Sequence, residues 1–166
     1  MSWAYTHTER IRFGDLDAMR HLNNVVFLRY FETARINYLN SLSDDHDPVN
    51  RDGGFGFIFA SCHIDYRSPG HFDEEVAIRV RPAEIGTKSL KLEFEMRVGE
   101  RLLAEGYGVL VGYDYAAGQT SPLPEALKLR FISGCICALS HLTVQLRNRT
   151  ATLREVHRAV RAAWGC

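Results

Sequence analysis

The sequence predicts an α+β domain in which an antiparallel sheet of five or six strands wraps around one long helix. A single helical stretch begins near Asn24 and is apolar enough to be enclosed by a sheet. From residue 57 to residue 115 the apolar residues instead recur with a period of two, in four runs typical of strands. A helix followed by consecutive strands indicates an α+β arrangement. At 166 residues the chain has room for one such core.

The elements before the sheet are a short strand, a turn and the helix. The strand is predicted over residues 7–13, where Ile11 and Phe13 alternate with charged side chains. A polar, turn-rich segment leads from it to the helix. Residues 41–56 hold several Asp and Gly residues, which predict a mobile loop. One face of the helix carries four apolar side chains at helical spacing: Phe27, Phe31, Ala34 and Tyr38.

The four later strands are predicted at residues 57–66, 75–85, 89–98 and 101–115. The third run alternates cleanly between apolar and charged residues, which predicts one buried face and one wet face. The short segment around Gly99 is suited to a tight hairpin between the third and fourth runs. Together these runs predict an antiparallel sheet that curls around the helix.

Composition and charge exclude several classes of protein. The formal net charge is zero, so we expect no nucleic acid and no membrane as partners. No stretch is long and apolar enough to span a bilayer, and the first residues do not resemble a signal peptide. We therefore expect a cytoplasmic protein in which all four cysteines are free thiols: Cys62, Cys135, Cys137 and Cys166. The Cys135–Cys137 pair has no second pair of ligands nearby and does not predict a metal site.

The chain is predicted to divide into a domain of residues 1–131 and a C-terminal extension of residues 132–166. The extension is basic, with five basic side chains and one acidic side chain. Its role is unknown.

The segment just before the helix is the candidate functional site. It places two carboxylates, a histidine and two amides on a loop that feeds a helix N-terminus, which offers free N–H groups and the positive end of a dipole. Each residue also has a structural interpretation. Asp15 and Asp17 are suited to turns, Asn23 and Asn24 to N-caps, and His21 to tying down the loop. The residues alone therefore indicate a polar site without deciding its chemistry.

The same segment resembles the hot-dog fold 4-hydroxybenzoyl-CoA thioesterase family, in its acyl-CoA thioesterase branch. The main motif is Phe13-x-Asp15-x-Asp17-Ala18-Met19-x-His21-x-Asn23-Asn24, followed by Tyr30-Phe31-Glu32-x-Ala34-Arg35. Shorter matches follow in order at residues 64–69, 85–89, 104–106 and 122–124. The resemblance covers about residues 7–126.

The resemblance implies hydrolysis of an acyl-CoA thioester to a free acid and CoA. Asp17 would be the catalytic general base or nucleophile, and the Asn24 backbone N–H would polarise the thioester carbonyl. His21 and Asn23 would line the same loop. Substrate-binding residues are expected in three groups: Tyr66, Arg67 and Pro69 beside the acyl pocket, Thr87, Lys88 and Ser89 near the CoA phosphates, and Phe27 and Phe31 on the helix.

The resemblance also implies a homodimer or homotetramer that pairs through sheet edges, with CoA as part of the substrate and no metal or bound cofactor. Two positions depart from the family pattern: Arg20 replaces a small residue such as Gly, and Phe27 replaces Tyr. Two alternatives remain open. One is a hot-dog hydratase or dehydratase that uses Asp17 and His21, and the other is a non-catalytic acyl-CoA binding module.

Overall fold

In the computed structural model, which describes residues 3–42 and 54–137, six strands form one antiparallel sheet around a long helix. The elements are β1 (Tyr5–Arg10), α1 (Asn24–Ser41), β2 (Phe55–Tyr66), β3 (Glu75–Ile85), β4 (Ser89–Val98), β5 (Arg101–Asp114), β6 (Gln119–Thr120) and α2 (Glu125–Cys137). The strand order is β1-β3-β4-β5-β2, and β6 pairs with β5. The predicted α+β fold is confirmed.

Helix α1 fills the concave side of the sheet. Its predicted apolar face, formed by Phe27, Phe31, Ala34 and Tyr38, is buried. The Phe31 ring stacks on Phe94 of β4 with 4.2 Å between ring centroids. At Gly108 of β5 a Cβ atom would lie 2.7 Å from the rings of Phe31 and Phe59, so the sheet approaches the helix closely there.

The sheet has one apolar and one charged face, as the alternation in the third run predicts. On β4 the side chains of Leu90, Leu92, Phe94 and Met96 point into the core. The intervening acids form cross-strand ion pairs with β3, such as Arg79–Glu95 at 3.0 Å. Such pairs keep the outer face soluble and contribute little to stability individually.

Four predicted strand boundaries are wrong, and the first of them is the start of β1, which begins at Tyr5 rather than at residue 7. Strand β1 ends at Arg10, and Phe13 begins a 3-10 turn in which its side chain is 79% exposed. The Asp15 carboxylate accepts the Arg12 N–H at 3.0 Å, and this bond turns the chain away from the sheet. Strand β2 begins at Phe55 rather than residue 57, and β5 ends at Asp114, whose carboxylate caps the following turn. Residues 43–53 of the predicted loop lie outside the described residues.

Helix α2 closes the far end of the core. Phe131 is fully buried and its ring contacts Tyr38 of α1 at 6.2 Å between centroids. The helix runs through residue 131, so the first residues of the predicted extension continue it. The extension beyond residue 137 lies outside the described residues, and the two-part division stays a prediction. Neither helix of the described part is long and apolar enough to cross a membrane.

Candidate active site

Asp15 anchors the loop that precedes α1. Its side chain is buried and accepts hydrogen bonds from the Arg12 N–H at 3.0 Å, from the Tyr30 hydroxyl at 2.9 Å and from Arg29. Burial alone would raise the pKa of Asp15, but these donors outweigh it and hold the pKa below its usual value. The Asp15 carbonyl also accepts the Asn23 N–H at 2.9 Å. Asp15 therefore ties the loop to the helix, and both of its carboxylate oxygens are engaged within the chain.

Asp17 occupies a different environment two residues later. Its Oδ1 accepts the backbone N–H groups of Met19 at 2.8 Å and His21 at 3.2 Å. Its own N–H donates to the His21 carbonyl at 2.8 Å, which closes a compact turn. Within residues 3–42 and 54–137, no group donates to its Oδ2. The carboxylate is thus held by one oxygen while the other remains available.

The N-terminus of α1 follows directly. Asn23 is the N-cap, and its Oδ1 accepts the Val25 N–H at 3.1 Å. Asn24 is exposed, and no described group accepts its N–H. Its carbonyl accepts the Tyr66 hydroxyl at 3.1 Å, so the end of β2 fixes the first turn of the helix. The Tyr66 ring also packs edge-on against Phe27 at 5.2 Å between centroids.

A second histidine, His71, belongs to this region and was missed by the sequence analysis. Its ring lies edge-on against the His21 ring, with 5.5 Å between centroids. The preceding Gly70 carbonyl accepts the Leu22 N–H at 2.8 Å, and a Cβ at Gly70 would lie 2.8 Å from Ile11. The segment after β2 therefore packs tightly against the Asp17 loop. The only sequence signal was a histidine directly after the Pro69–Gly70 turn.

Four of the predicted substrate-binding residues make contacts within the chain, and their role toward a substrate stays a prediction. Phe31 is fully buried and Phe27 is almost so, which makes both core residues. Arg67 bonds Glu105 at 3.0 Å and Asp65 at 3.3 Å. The Pro69 carbonyl accepts a hydrogen bond from Arg101.

The turn of Thr87, Lys88 and Ser89 lies at the opposite end of the sheet from Asp17. The Asp17 loop contacts the segment before β3, whereas the turn follows the end of β3. That strand has 11 residues and spans about 35 Å. Lys88 Nζ bonds Thr120 Oγ1 at 3.1 Å and the Thr120 carbonyl at 3.3 Å. One chain therefore does not bring this turn and Asp17 together.

Comparison with known proteins agrees with the fold and the motif. The model of the family described as the thioesterase-like superfamily matches residues 11–131. The chain belongs to this superfamily. Its hot-dog fold and its class, a thioester hydrolase, are those the motif predicts.

Individual relatives support the same assignment. A thioesterase from Thermus thermophilus, crystallised with coenzyme A and Zn, is 34% identical with a TM-score of 0.70, covering 80% of this chain and 94% of that one. A thioesterase superfamily protein from Jannaschia sp. CCS1 is 27% identical with a TM-score of 0.71, covering 80% and 83%. The uncharacterized protein YsmA of Bacillus subtilis (strain 168) is 31% identical over 107 residues, covering 63% of this chain and 66% of that protein.

Proposed function

We propose that this chain hydrolyses an acyl-CoA thioester, with Asp17 as general base or nucleophile and the Asn24 N–H as oxyanion donor. One observation carries the proposal: a carboxylate fixed through one oxygen, with the other unbonded, stands on the loop that leads into a helix N-terminus whose first N–H has no described acceptor. The coenzyme A bound to the Thermus thermophilus thioesterase supports CoA as the carrier.

The reaction uses these two groups on opposite sides of the thioester carbonyl. In the general-base route, water attacks the carbonyl carbon as Asp17 takes its proton, the C–S bond breaks, and the departing CoA thiolate takes up that proton. In the nucleophilic route, the Asp17 carboxylate attacks the carbonyl carbon and expels CoA thiolate, and water then hydrolyses the resulting anhydride and supplies the proton for the thiolate. In both routes the carbonyl oxygen becomes negative and accepts the Asn24 N–H at the positive end of the helix dipole. An oxyanion donor contributes about 3–4 kcal/mol and a general base about 10²–10⁴-fold in rate.

The complete site needs a second copy of the chain. Strand β2 is an edge of the described sheet, and its outer ladder groups are free to pair. Antiparallel pairing of two β2 edges places opposite sheet ends side by side. The Thr87–Ser89 turn of the second copy then lies at the same end as Asp17, with Lys88 available to the CoA phosphates. We expect a homodimer, or a homotetramer built from it.

The hydratase alternative finds no support in the contacts of His21. A dehydratase needs the His21 ring and Asp17 to act on one β-carbon, but in the described structure the hydrogen bonds between Asp17 and His21 involve the His21 backbone and not its ring. The His21 ring lies against His71. We further expect no resident metal or cofactor, no membrane or nucleic acid partner, and a cytoplasmic location.

The test is release of free thiol from short, long, branched and aryl acyl-CoAs, with the melting temperature recorded on the same samples. Thiol release from at least one of them is expected, and the panel then names the acyl group. If acyl-CoA raises the melting temperature but no free CoA appears, the proposed hydrolysis is wrong and the chain is an acyl-CoA binding module. Absence of both binding and release would leave a carrier-protein thioester as the substrate.

A further inference from the structure

Arg35 of α1 is a buried cation with incomplete hydrogen bonding. Its side chain is 8% exposed, and its Nε and Nη1 have no hydrogen-bond partner in the described structure. Only Nη2 has one, the Glu32 Oε1, at 3.4 Å. Two unpaired donors on a buried charge are costly, because no acceptor among the described residues replaces the lost hydration. Desolvation accordingly lowers the pKa of Arg35.

The guanidinium lies beside the middle of the free β2 edge. It stacks over the Phe59 ring at 4.2 Å from the centroid. Strand β2 runs from Phe55 to Tyr66, so its midpoint falls at the bulge that follows Phe59. Farther along the same strand, Cys62 is exposed and near enough to Arg35 to interact electrostatically with it. The buried guanidinium of Arg35 therefore lies next to an open strand edge.

We propose that acceptor oxygens of a second copy of this chain, docked along the free edge of β2, complete the hydrogen bonding of Arg35. This inference rests on the pairing proposed above and adds the residue that pins it. Antiparallel pairing of one strand with its own copy creates a two-fold axis at the strand midpoint. The guanidiniums of the two copies then lie near that axis.

The charge pattern on this side of α1 is complementary to itself. Glu32 lies one turn before Arg35, and its side chain is 58% exposed, so its carboxylate can reach outward. Across a two-fold axis the Glu32 carboxylate of each copy can accept from Arg35 of the other. Leu28, which is 39% exposed on the same side, is then covered as well. A second copy therefore supplies both the charge and the apolar contact that this surface needs.

The experiment measures dimer dissociation of the full-length protein by sedimentation, with Arg35→Met compared with the parent. Methionine keeps a stem of similar length and removes the charge. The dissociation constant is expected to rise at least tenfold, or about 1.4 kcal/mol. Arg79→Met is the matched control, because Arg79 is half-exposed on the outer face and pairs with Glu95 within the chain. It should leave the dissociation constant unchanged.

A folded Arg35→Met variant whose dimer is unchanged or tighter would overturn the proposal. That result is expected if Arg35 is simply an unsatisfied buried cation, because methionine would then remove a destabilising charge without removing a contact between the copies. If that variant does not fold, the test uses the unmodified protein. Its Arg35 Nε–H signal is followed by NMR and assigned by its loss in Arg35→Lys. Protection from exchange that falls on dilution to monomer supports the proposal, and protection independent of concentration contradicts it. A chain that hydrolyses thioesters as a monomer would refute the pairing while leaving the hydrolase proposal intact.

Discussion

Replacing Asp15 by asparagine should mainly lower the stability of the fold, whereas replacing Asp17 by asparagine should mainly lower kcat. Asp15→Asn removes a buried charge that accepts from the Arg12 N–H, the Tyr30 hydroxyl and Arg29. The amide nitrogen of asparagine cannot accept a hydrogen bond, so the donors that bind one of the two carboxylate oxygens lose their acceptor. Breaking a buried, charge-assisted network costs about 3–5 kcal/mol, and we take about 3 kcal/mol because Arg29 is 56% exposed. Asp17→Asn keeps an Oδ1 for both N–H donors and should cost less than about 1 kcal/mol.

Urea unfolding of the parent and both variants tests this contrast. A loss of about 3 kcal/mol in Asp15→Asn should appear as a lower midpoint with an unchanged slope. The residual folded Asp15→Asn should lose less of kcat than Asp17→Asn, because Asp15 holds the loop and does not face the substrate. Equal stability of the two variants would refute the assignment of Asp15 as the anchor, and so would a greater loss of unfolding free energy in Asp17→Asn than in Asp15→Asn.

Three further predictions concern the same region. Because the pKa of Asp15 is depressed in the folded protein, the Asp15 carboxylate stabilises the fold above the ordinary carboxyl pKa of about 4, and this stabilisation is lost as the pH falls. In a plot of unfolding free energy against pH, Asp15→Asn should therefore show a shallower decline on the acid side than the parent does. Arg20 has a φ of 63°, so Arg20→Gly should gain about 0.5–1 kcal/mol in urea unfolding, whereas Arg12→Gly, at a φ of −87°, should lose stability. EDTA should leave thiol release unchanged, and loss of activity restored by Zn²⁺ would contradict our expectation that no metal is needed.

Sequence periodicity was sufficient for the fold because burial in this chain is regular. The apolar face of α1 and the alternation along β4 both follow from which side of an element meets the core. The ends of elements were harder. Phe13 continues the alternation of β1 but lies in a turn, because a local bond from the Arg12 N–H to the Asp15 carboxylate redirects the chain. A period-two pattern carries no information about such a bond.

The site shows the same limit at the level of single residues. Asp15 and Asp17 look alike in the sequence, and only the side chains of Arg29 and Tyr30, one turn and more into α1, separate the anchor from the free carboxylate. His71 reaches the site from a loop about 50 residues away in sequence. The resemblance implies that the Thr87–Ser89 turn approaches the CoA phosphates, and the structure adds that within one chain this turn lies at the other end of the sheet from Asp17. The positive φ at Arg20 gives a physical reason why glycine suits that position.

The most direct test of the account is kcat for Asp17→Asn on the best acyl-CoA of the panel, with Asp73→Asn as control. Asp73 is an exposed aspartate with a positive φ of 66°, a conformation that asparagine also adopts readily. Asp17→Asn should lose at least about 10²-fold in kcat while its melting temperature and acyl-CoA affinity stay near those of the parent. Asp73→Asn should retain full activity. A folded Asp17→Asn variant with undiminished kcat would contradict the central claim that this carboxylate performs the hydrolysis.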